Sequence, residues 1–68
     1  MELTKREAEV LRKIGKGKDR KTIADEMGIS VYTIAVHIRN LHQKSKTHSY
    51  AELVILQKKH PKKTVKQT

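Results

Sequence analysis

The sequence predicts an all-α domain of four short helices. Its apolar residues recur at intervals of three and four, which is the spacing of one helix face, and alternating strand patterns are nearly absent. Residues that cap helices precede the apolar stretches, and glycines separate these stretches from one another. A chain of 68 residues without cysteine forms one small domain, which must be held together by helix packing alone.

A capping box predicts where the first helix begins. The Thr4 side chain can accept a hydrogen bond from the backbone N–H of Glu7, and the Glu7 carboxylate can reach back to the backbone of Thr4. The predicted buried stripe that follows is Ala8, Leu11 and Ile14. Gly15 is the predicted stop, because glycine readily adopts the left-handed conformation that ends many helices.

The second helix and the turn after it predict a helix-turn-helix. Asp19 is the expected cap of a short helix. The predicted buried residues of this helix are Ile23, Ala24 and Met27. Gly28 can adopt a positive φ without steric cost, Ile29 can fill the core, and Ser30 can cap the next helix. Two short helices joined by so tight a turn form the helix-turn-helix motif.

The third helix is predicted from Val31 to about Lys44, and its residues fall into three stripes. The core stripe, spaced i, i+4 and i+7, is Ile34, Ile38 and Leu41. The opposite, outward stripe is Tyr32, Ala35, Val36, Arg39 and Gln43. The stripe beside it is Thr33, His37, Asn40 and Lys44.

The outward stripe has the chemistry of a helix that reads the major groove of DNA. Val36 can contact a thymine methyl group, Ala35 allows a close approach, and Arg39 can donate to guanine O6 and N7. The stripe beside it suits contacts to sugar and phosphate. No acidic residue occurs from Gly28 to Ala51, although the chain has seven elsewhere. An acid there would face phosphate oxygens at close range, so its absence favours a polyanionic partner over an ordinary solvated face.

The charge distribution supports the same interpretation. The net charge is +9, and residues 30–51 carry three basic residues and no acid. Residues 52–68 carry five lysines against one acid, whereas the first 29 residues nearly balance, with eight basic and six acidic residues. No apolar run approaches the ~20 residues of a membrane span, and the N-terminal residues lack the apolar region of a signal peptide. We therefore expect a cytoplasmic protein that binds a polyanion and no membrane.

A second capping box, from Ser49 to Glu52, predicts the fourth helix. Leu53 and Leu56 can complete the core. The residues left facing outward form the predicted homodimer interface, which is Tyr50, Val54 and Gln57. In the alternative, Val54 is also a core residue, because so small a chain needs every apolar group.

The chain contains the segment LTKREAEVL, which begins at Leu3, and the segment KTIADEMGISVYTIAVHIRNLHQK, which begins at Lys21. These segments resemble the helix-turn-helix domain of LuxR/NarL-type bacterial transcription regulators, also called the GerE-like domain. The resemblance covers roughly residues 3–59. The predicted domain spans residues 1–60, and a basic, disordered tail is predicted at residues 61–68.

The resemblance implies a four-helix effector domain of a response regulator or signal-responsive regulator. Such a domain binds double-stranded DNA through its third helix and dimerises through its fourth. The positions that match the family's base contacts are Ala35, Val36 and Arg39, and those that match its backbone contacts are Arg20, Lys21, Thr33, His37 and Lys44. From the stripes of the third helix and its cap, we add Tyr32 to the base contacts, and Ser30, Asn40 and Gln43 to the backbone contacts.

Two positions depart from the family pattern. Ala35 stands where many relatives have a long polar or basic residue, so one base contact is lost or exchanged for a methyl contact. After Lys44, the usual Leu, Gly and Val are replaced by Ser45, Lys46 and Thr47. This second departure affects the corner between the third and fourth helices.

Other chemistries have weaker support from the sequence. The histidines show no metal-binding spacing and no cysteine accompanies them. Ser30 and Ser49 fit helix caps and lack an acid–base partner, so we expect no catalysis, cofactor or small-molecule ligand. The alternative function is a protein-interaction module, in which the fourth helix and the basic face recruit an acidic partner such as RNA polymerase. RNA binding is a weaker option, because two tyrosines are the only aromatic residues available for stacking.

Overall fold

The computed structural model describes residues 2–59 of the chain, which form four helices and contain no strand. The helices are α1 (Lys5–Gly15), α2 (Arg20–Met27), α3 (Val31–Ser45) and α4 (Tyr50–Lys59). This architecture confirms the predicted all-α class. The predicted tail at residues 61–68 lies outside the described residues.

Each helix begins at the cap that the sequence predicted. The Glu7 N–H donates to Thr4 Oγ1 at 3.1 Å, and Glu7 Oε1 accepts from the Thr4 N–H at 3.0 Å, which completes the capping box. In α2, α3 and α4, the N–H of the third residue donates to the cap side chain at 2.8, 3.1 and 3.2 Å. These caps are Asp19, Ser30 and Ser49. Local hydrogen bonding therefore sets the register in which each helix presents its residues.

The apolar face of α1 is the centre of the core, and α1 packs against each of the other three helices. The buried residues it contributes are Ala8, Val10, Leu11 and Ile14. From α3, the predicted core stripe of Ile34, Ile38 and Leu41 is buried as expected. The core is completed by Leu3, Ile23, Ala24 and Leu53. Because α3 is anchored along one side, its opposite side is held toward solvent.

The end of α1 differs from the sequence prediction. Gly15 is the last residue of the helix, and the positive φ, +84°, occurs at Gly17. The glycine is needed at position 15 for a different reason: a Cβ built there would lie 2.5 Å from Gln57 Cγ and 3.0 Å from Gln57 Cβ. Gln57, which was predicted to face outward, therefore lies against α1. The helix ends at Gly15 as predicted, but the left-handed conformation predicted there is wrong; the glycine instead allows the close approach of α1 and α4.

The two later turns both use left-handed residues. Gly28 ends α2 with φ +67°, and the N–H of Ile29 donates to the Ala24 carbonyl at 3.1 Å, as the predicted tight turn requires. At the end of α3, Lys46 has φ +58° and ψ +39° although it is not glycine. A left-handed conformation costs a non-glycine residue about 1–2 kcal/mol. The corner between α3 and α4 is therefore strained at a lysine.

Replacing Gly15 with alanine should destabilise the domain, although alanine favours a helix interior over glycine by about 1 kcal/mol. The added methyl group would overlap Gln57 and force α4 to shift, and such overpacking costs about 1–3 kcal/mol. Thermal unfolding followed by circular dichroism measures the change. The double variant Gly15→Ala with Gln57→Ala should recover part of the loss, because the overlapping Cγ is then absent. A single variant that is more stable than the parent would contradict the close packing of α1 on α4.

Candidate nucleic-acid interface

The face of α3 opposite the core is exposed and carries most of the predicted base contacts. Tyr32 is 79% exposed, and three further members of the outward stripe are also exposed. These are Ala35, Arg39 and Gln43. Val36 is half-buried and is not part of the buried core. The outward stripe therefore lies on one continuous side of the helix, with Val36 at its partly covered edge.

The residues predicted to contact the DNA backbone flank this face. Thr33, His37 and Asn40 on α3 are half-buried, whereas Arg20 and Lys21 at the start of α2 are exposed. The α3 cap is part of the same region: the Ser30 and Thr33 hydroxyls lie 2.9 Å apart, and Ser30 is exposed. The predicted site residues are thus brought together at the start of α2 and along α3.

Lys44 differs from the other predicted backbone contacts because it already has a partner within the chain. Its ammonium donates to Glu7 Oε1 at 2.6 Å, and the Glu7 residue is only 3% exposed. Burial raises the pKa of Glu7, but the Lys44 hydrogen bond and charge, together with the bonds from Thr4, lower it further, and the net pKa is below its ordinary value. The pair joins the beginning of α1 to the end of α3.

The basic residues of α1 and the loop after it are also partly neutralised. Lys13 and Lys18 donate to the two carboxylate oxygens of Glu26 at 2.8 and 2.5 Å. These two hydrogen bonds lower the pKa of Glu26 to about 2. In contrast, Arg39 and Lys46 form no salt bridge within residues 2–58. Arg39 on α3 and Lys46 just after it are therefore cations that no salt bridge of the described residues neutralises.

An open groove of about 530 Å³ runs beside the exposed face of α3. Its lining includes Arg20 from α2, Arg39 and Gln43 from α3, and Lys46 and His48 from the following corner. No acidic residue of the described chain lines it. Sequence reasoning did not identify Lys46 and His48 as site residues. The one indication was the departure from the family pattern at position 46.

The exposed surface of α4 differs from the predicted dimer interface. Tyr50 was expected to face outward, but it is half-buried, and its hydroxyl is turned into the domain, where it donates to the Lys18 carbonyl at 2.5 Å. Burial raises the pKa of Tyr50. Val54 packs against the core, in agreement with the alternative interpretation of that residue. The large apolar side chain of α4 that is exposed in the described residues is instead Ile55, at 52%.

Residues 2–59 offer neither a membrane-spanning helix nor a metal-binding cluster. No helix there is both long enough and apolar enough to span a bilayer. Nor do His, Asp and Glu side chains of that region form a cluster of three that could hold a metal ion.

Comparisons with known proteins give a family match and several similar proteins. The family described as "Bacterial regulatory proteins, luxR family" matches residues 1–57. A nitrate/nitrite response regulator protein homolog of Haemophilus influenzae is 46% identical over 54 residues, covering 79% of this chain and 26% of the relative. The nitrate/nitrite response regulator protein NarP of Escherichia coli strain K12 is 43% identical over the same length, covering 79% of this chain and 25% of the relative.

A third relative extends the match a little further. The fimbriae Z protein of Salmonella typhimurium is 38% identical over 60 residues, covering 88% of this chain and 29% of the relative. The chain thus spans between a quarter and a third of the length of these three relatives. No solved structure gives a significant match.

The lowered pKa of Glu7 makes part of the domain's stability depend on pH. Because the folded-state pKa lies below the unfolded one, the contribution is fully present above the ordinary glutamate pKa of about 4.3 and is lost as the pH falls through the folded value. Glu7→Gln should therefore cost about 1–3 kcal/mol at pH 7 and progressively less in acid. Thermal unfolding measured from pH 7 to pH 3 checks this.

The matched control for this prediction is Glu9→Gln. It removes the charge of a neighbouring glutamate that takes no part in the hydrogen bond between Glu7 and Lys44. This variant should change stability little at any pH. Equal losses for the two variants would indicate a general effect of charge rather than the buried contact.

Proposed function

The chain belongs to the luxR family of bacterial regulatory proteins, and we infer from this membership that it binds DNA in a sequence-specific manner through α3. We propose that α3 enters the major groove of double-stranded DNA and that the bound domain regulates transcription. The family and the response-regulator relatives support the general function, which is the regulation of transcription by a DNA-binding domain. They do not favour the alternative of a protein-interaction module.

One observation carries the proposal for α3. Its core side is fixed by buried residues, and the side that projects into solvent holds an uncompensated arginine and no carboxylate. A single α-helix fits the B-DNA major groove, which is about 12 Å wide. Phosphates line both edges of that groove, and a helix without acidic residues approaches them at the lowest electrostatic cost.

Base recognition is assigned to the outward stripe. Arg39 is long, exposed and free of an ion pair within the described residues, so its guanidinium can form two hydrogen bonds with a guanine. Ala35 leaves room for a base edge, and Val36 can contact a thymine methyl group. Tyr32 is the most exposed large apolar side chain on this helix, and it lies at the N-terminal end of α3.

Backbone recognition is assigned to the residues that flank the stripe. They orient the domain without reading sequence, because phosphates are the same at every base pair. The proposed set is Arg20, Lys21, Ser30, Thr33, His37, Asn40, Gln43 and Lys44. Lys44 has to share its ammonium between a phosphate and the Glu7 carboxylate, so we expect its contribution to binding to be smaller than that of Arg20 or Lys21.

The relatives indicate how such a domain is used. Two of the relatives reported above are described as response regulators, and this chain covers about a quarter of the length of each. We propose that it acts as the effector part of such a regulator, under the control of a signal received elsewhere.

We further propose that two copies bind DNA together through α4. The large exposed apolar residue among the described residues of this helix is Ile55, so it takes the central place in the contact, with Val54 and Gln57 at its edge. Tyr50 contributes through its outer part only, because its hydroxyl is bonded within the chain. A self-complementary contact of this kind is two-fold, and it would place two α3 helices on half-sites about one helical turn apart.

Replacing Arg39 with alanine should weaken binding to the preferred duplex by about 1–3 kcal/mol and relax the preference at one base pair. The preferred duplex is obtained by selection from a random library with the unmodified chain. Fluorescence anisotropy then compares the selected duplex with a random one. Arg12→Ala is the control, since Arg12 is an exposed arginine of α1 outside the proposed interface.

The outcomes of this experiment separate the possible roles of Arg39. An equal loss on selected and random duplexes would make Arg39 a phosphate contact. Loss of affinity no larger than that of Arg12→Ala would contradict the insertion of α3.

Replacing Ile55 with serine should lower the affinity for a duplex with two half-sites by about tenfold, or about 1.4 kcal/mol. The affinity for a single half-site should stay unchanged, because the variant alters the contact between copies and leaves α3 intact. Anisotropy titrations on the two duplexes measure both quantities. Thermal unfolding serves as the control, since an exposed residue contributes little to the core. Equal affinities of variant and parent for the two-site duplex would exclude Ile55 from the contact.

A further inference from the structure

We propose that the groove at the corner between α3 and α4 holds a phosphate of the DNA backbone, and that Lys46 is the residue that contacts it. This inference rests on the proposed function and adds to it a contact that neither the sequence pattern nor the family resemblance assigned. The ligand is one phosphodiester of the duplex whose bases face α3.

The groove has the charge that a phosphate requires. Arg20, Arg39 and Lys46 supply cations from three separate elements of the chain, and His48 supplies a further ring nitrogen. No carboxylate lines the groove within the described residues, and neither Arg39 nor Lys46 forms a salt bridge there. The nearby cations that do have partners, Lys13, Lys18 and Lys44, are absent from its lining. An anion entering the groove would therefore meet positive charge that nothing else neutralises.

The backbone at Lys46 is an independent indication of a role for its side chain. Lys46 is the one non-glycine residue with a positive φ in the described chain, at +58°. Glycine would adopt this conformation without strain, and strained non-glycine residues persist where the side chain has another use. The side chain is exposed and makes no hydrogen bond within residues 2–58, so no contact inside the domain accounts for the lysine.

Arg20 is positioned for the same ligand from the other side of the groove. Its guanidinium carbon lies 6.0 Å from the centroid of the Tyr50 ring, at the outer limit of a cation–π contact. The Tyr50 ring is in turn held by the bond from its hydroxyl to the Lys18 carbonyl. Tyr50 and Arg20 thus lie within reach of each other, and Arg20 brings a cation from α2 to the groove that Lys46 also lines.

The shape of the groove favours a nucleic-acid strand over an enclosed small molecule. It is open along its length, and Ala35, Arg39 and Gln43 of the outward stripe form part of its wall. A strand whose bases face this stripe therefore passes directly into the groove. The phosphate that it places there belongs to the same duplex that α3 reads.

The variant Lys46→Gly tests this inference, because binding and stability should change in opposite directions. Glycine relieves the positive-φ strain, so the melting temperature should rise by about 3–5 °C. Loss of one phosphate contact should weaken binding to selected and random duplexes alike by about three- to tenfold. The slope of log K against log salt should become shallower by about 0.9. Anisotropy titrations from 0.05 to 0.3 M salt, together with thermal unfolding, measure all three quantities.

The matched control is Lys16→Gly, which removes the same charge from an exposed turn residue outside the groove. Two further variants separate charge from backbone conformation. Asparagine tolerates the left-handed region and carries no charge, so the variant Lys46→Asn should bind as weakly as Lys46→Gly. Lys46→Arg should bind as the parent does. A salt slope for Lys46→Gly equal to that of Lys16→Gly would overturn the inference.

Failure of this inference is distinguishable from failure of the proposed function. If the parent chain prefers the selected duplex and Arg39→Ala abolishes that preference, while Lys46→Gly binds as its control does, only the groove contact is wrong. If the parent chain retains no duplex, both proposals fall together.

Discussion

The buried carboxylate of Glu7 is the contact on which the arrangement of this domain most depends. Its Oε1 atom accepts both the Thr4 N–H, which starts α1, and the Lys44 ammonium, which lies near the end of α3. A buried carboxylate needs such partners, because an unpaired charge in the interior is strongly unfavourable. One atom therefore links the cap of the first helix to the far end of the third. The direction in which α3 presents its exposed face follows from this link and from the apolar contacts beneath it.

The basic residues of the chain are divided between those that form salt bridges and those that do not. Lysines that form a salt bridge with a carboxylate, such as Lys13 and Lys44, stabilise the fold, and the carboxylate neutralises much of their charge. Arg39 and Lys46 have no such partner in the described residues, and both line one groove. The net charge of +9 is therefore larger than the positive charge that remains free to attract a polyanionic partner. The distribution of unpaired cations, rather than their total, indicates where a polyanion would bind.

Local rules predicted most of the fold, and contacts between distant residues account for what they missed. Capping boxes and helical spacing depend on residues three or four apart, and so each cap and the core stripe of α3 were readable from the sequence. Gly15 was misread because its neighbour across the interface, Gln57, is distant in the chain. Tyr50 was misread for the same reason, since its hydroxyl bonds to the Lys18 carbonyl. The groove at Lys46 required three elements to be placed together, which no periodic pattern reveals.

The position of the two tyrosines gives the protein a pair of internal fluorescent reporters. The chain has no tryptophan, so its ultraviolet emission comes from Tyr32 and Tyr50 alone. Tyr32 is 79% exposed on the outward face of α3, whereas the ring of Tyr50 is half-buried on α4 beside Arg20. Quenching of the Tyr32 emission would therefore report on the exposed face of α3, and quenching of the Tyr50 emission would report on α4. Substituting phenylalanine at either position would leave a single emitter, and events at α3 and at α4 could be followed separately without any attached dye.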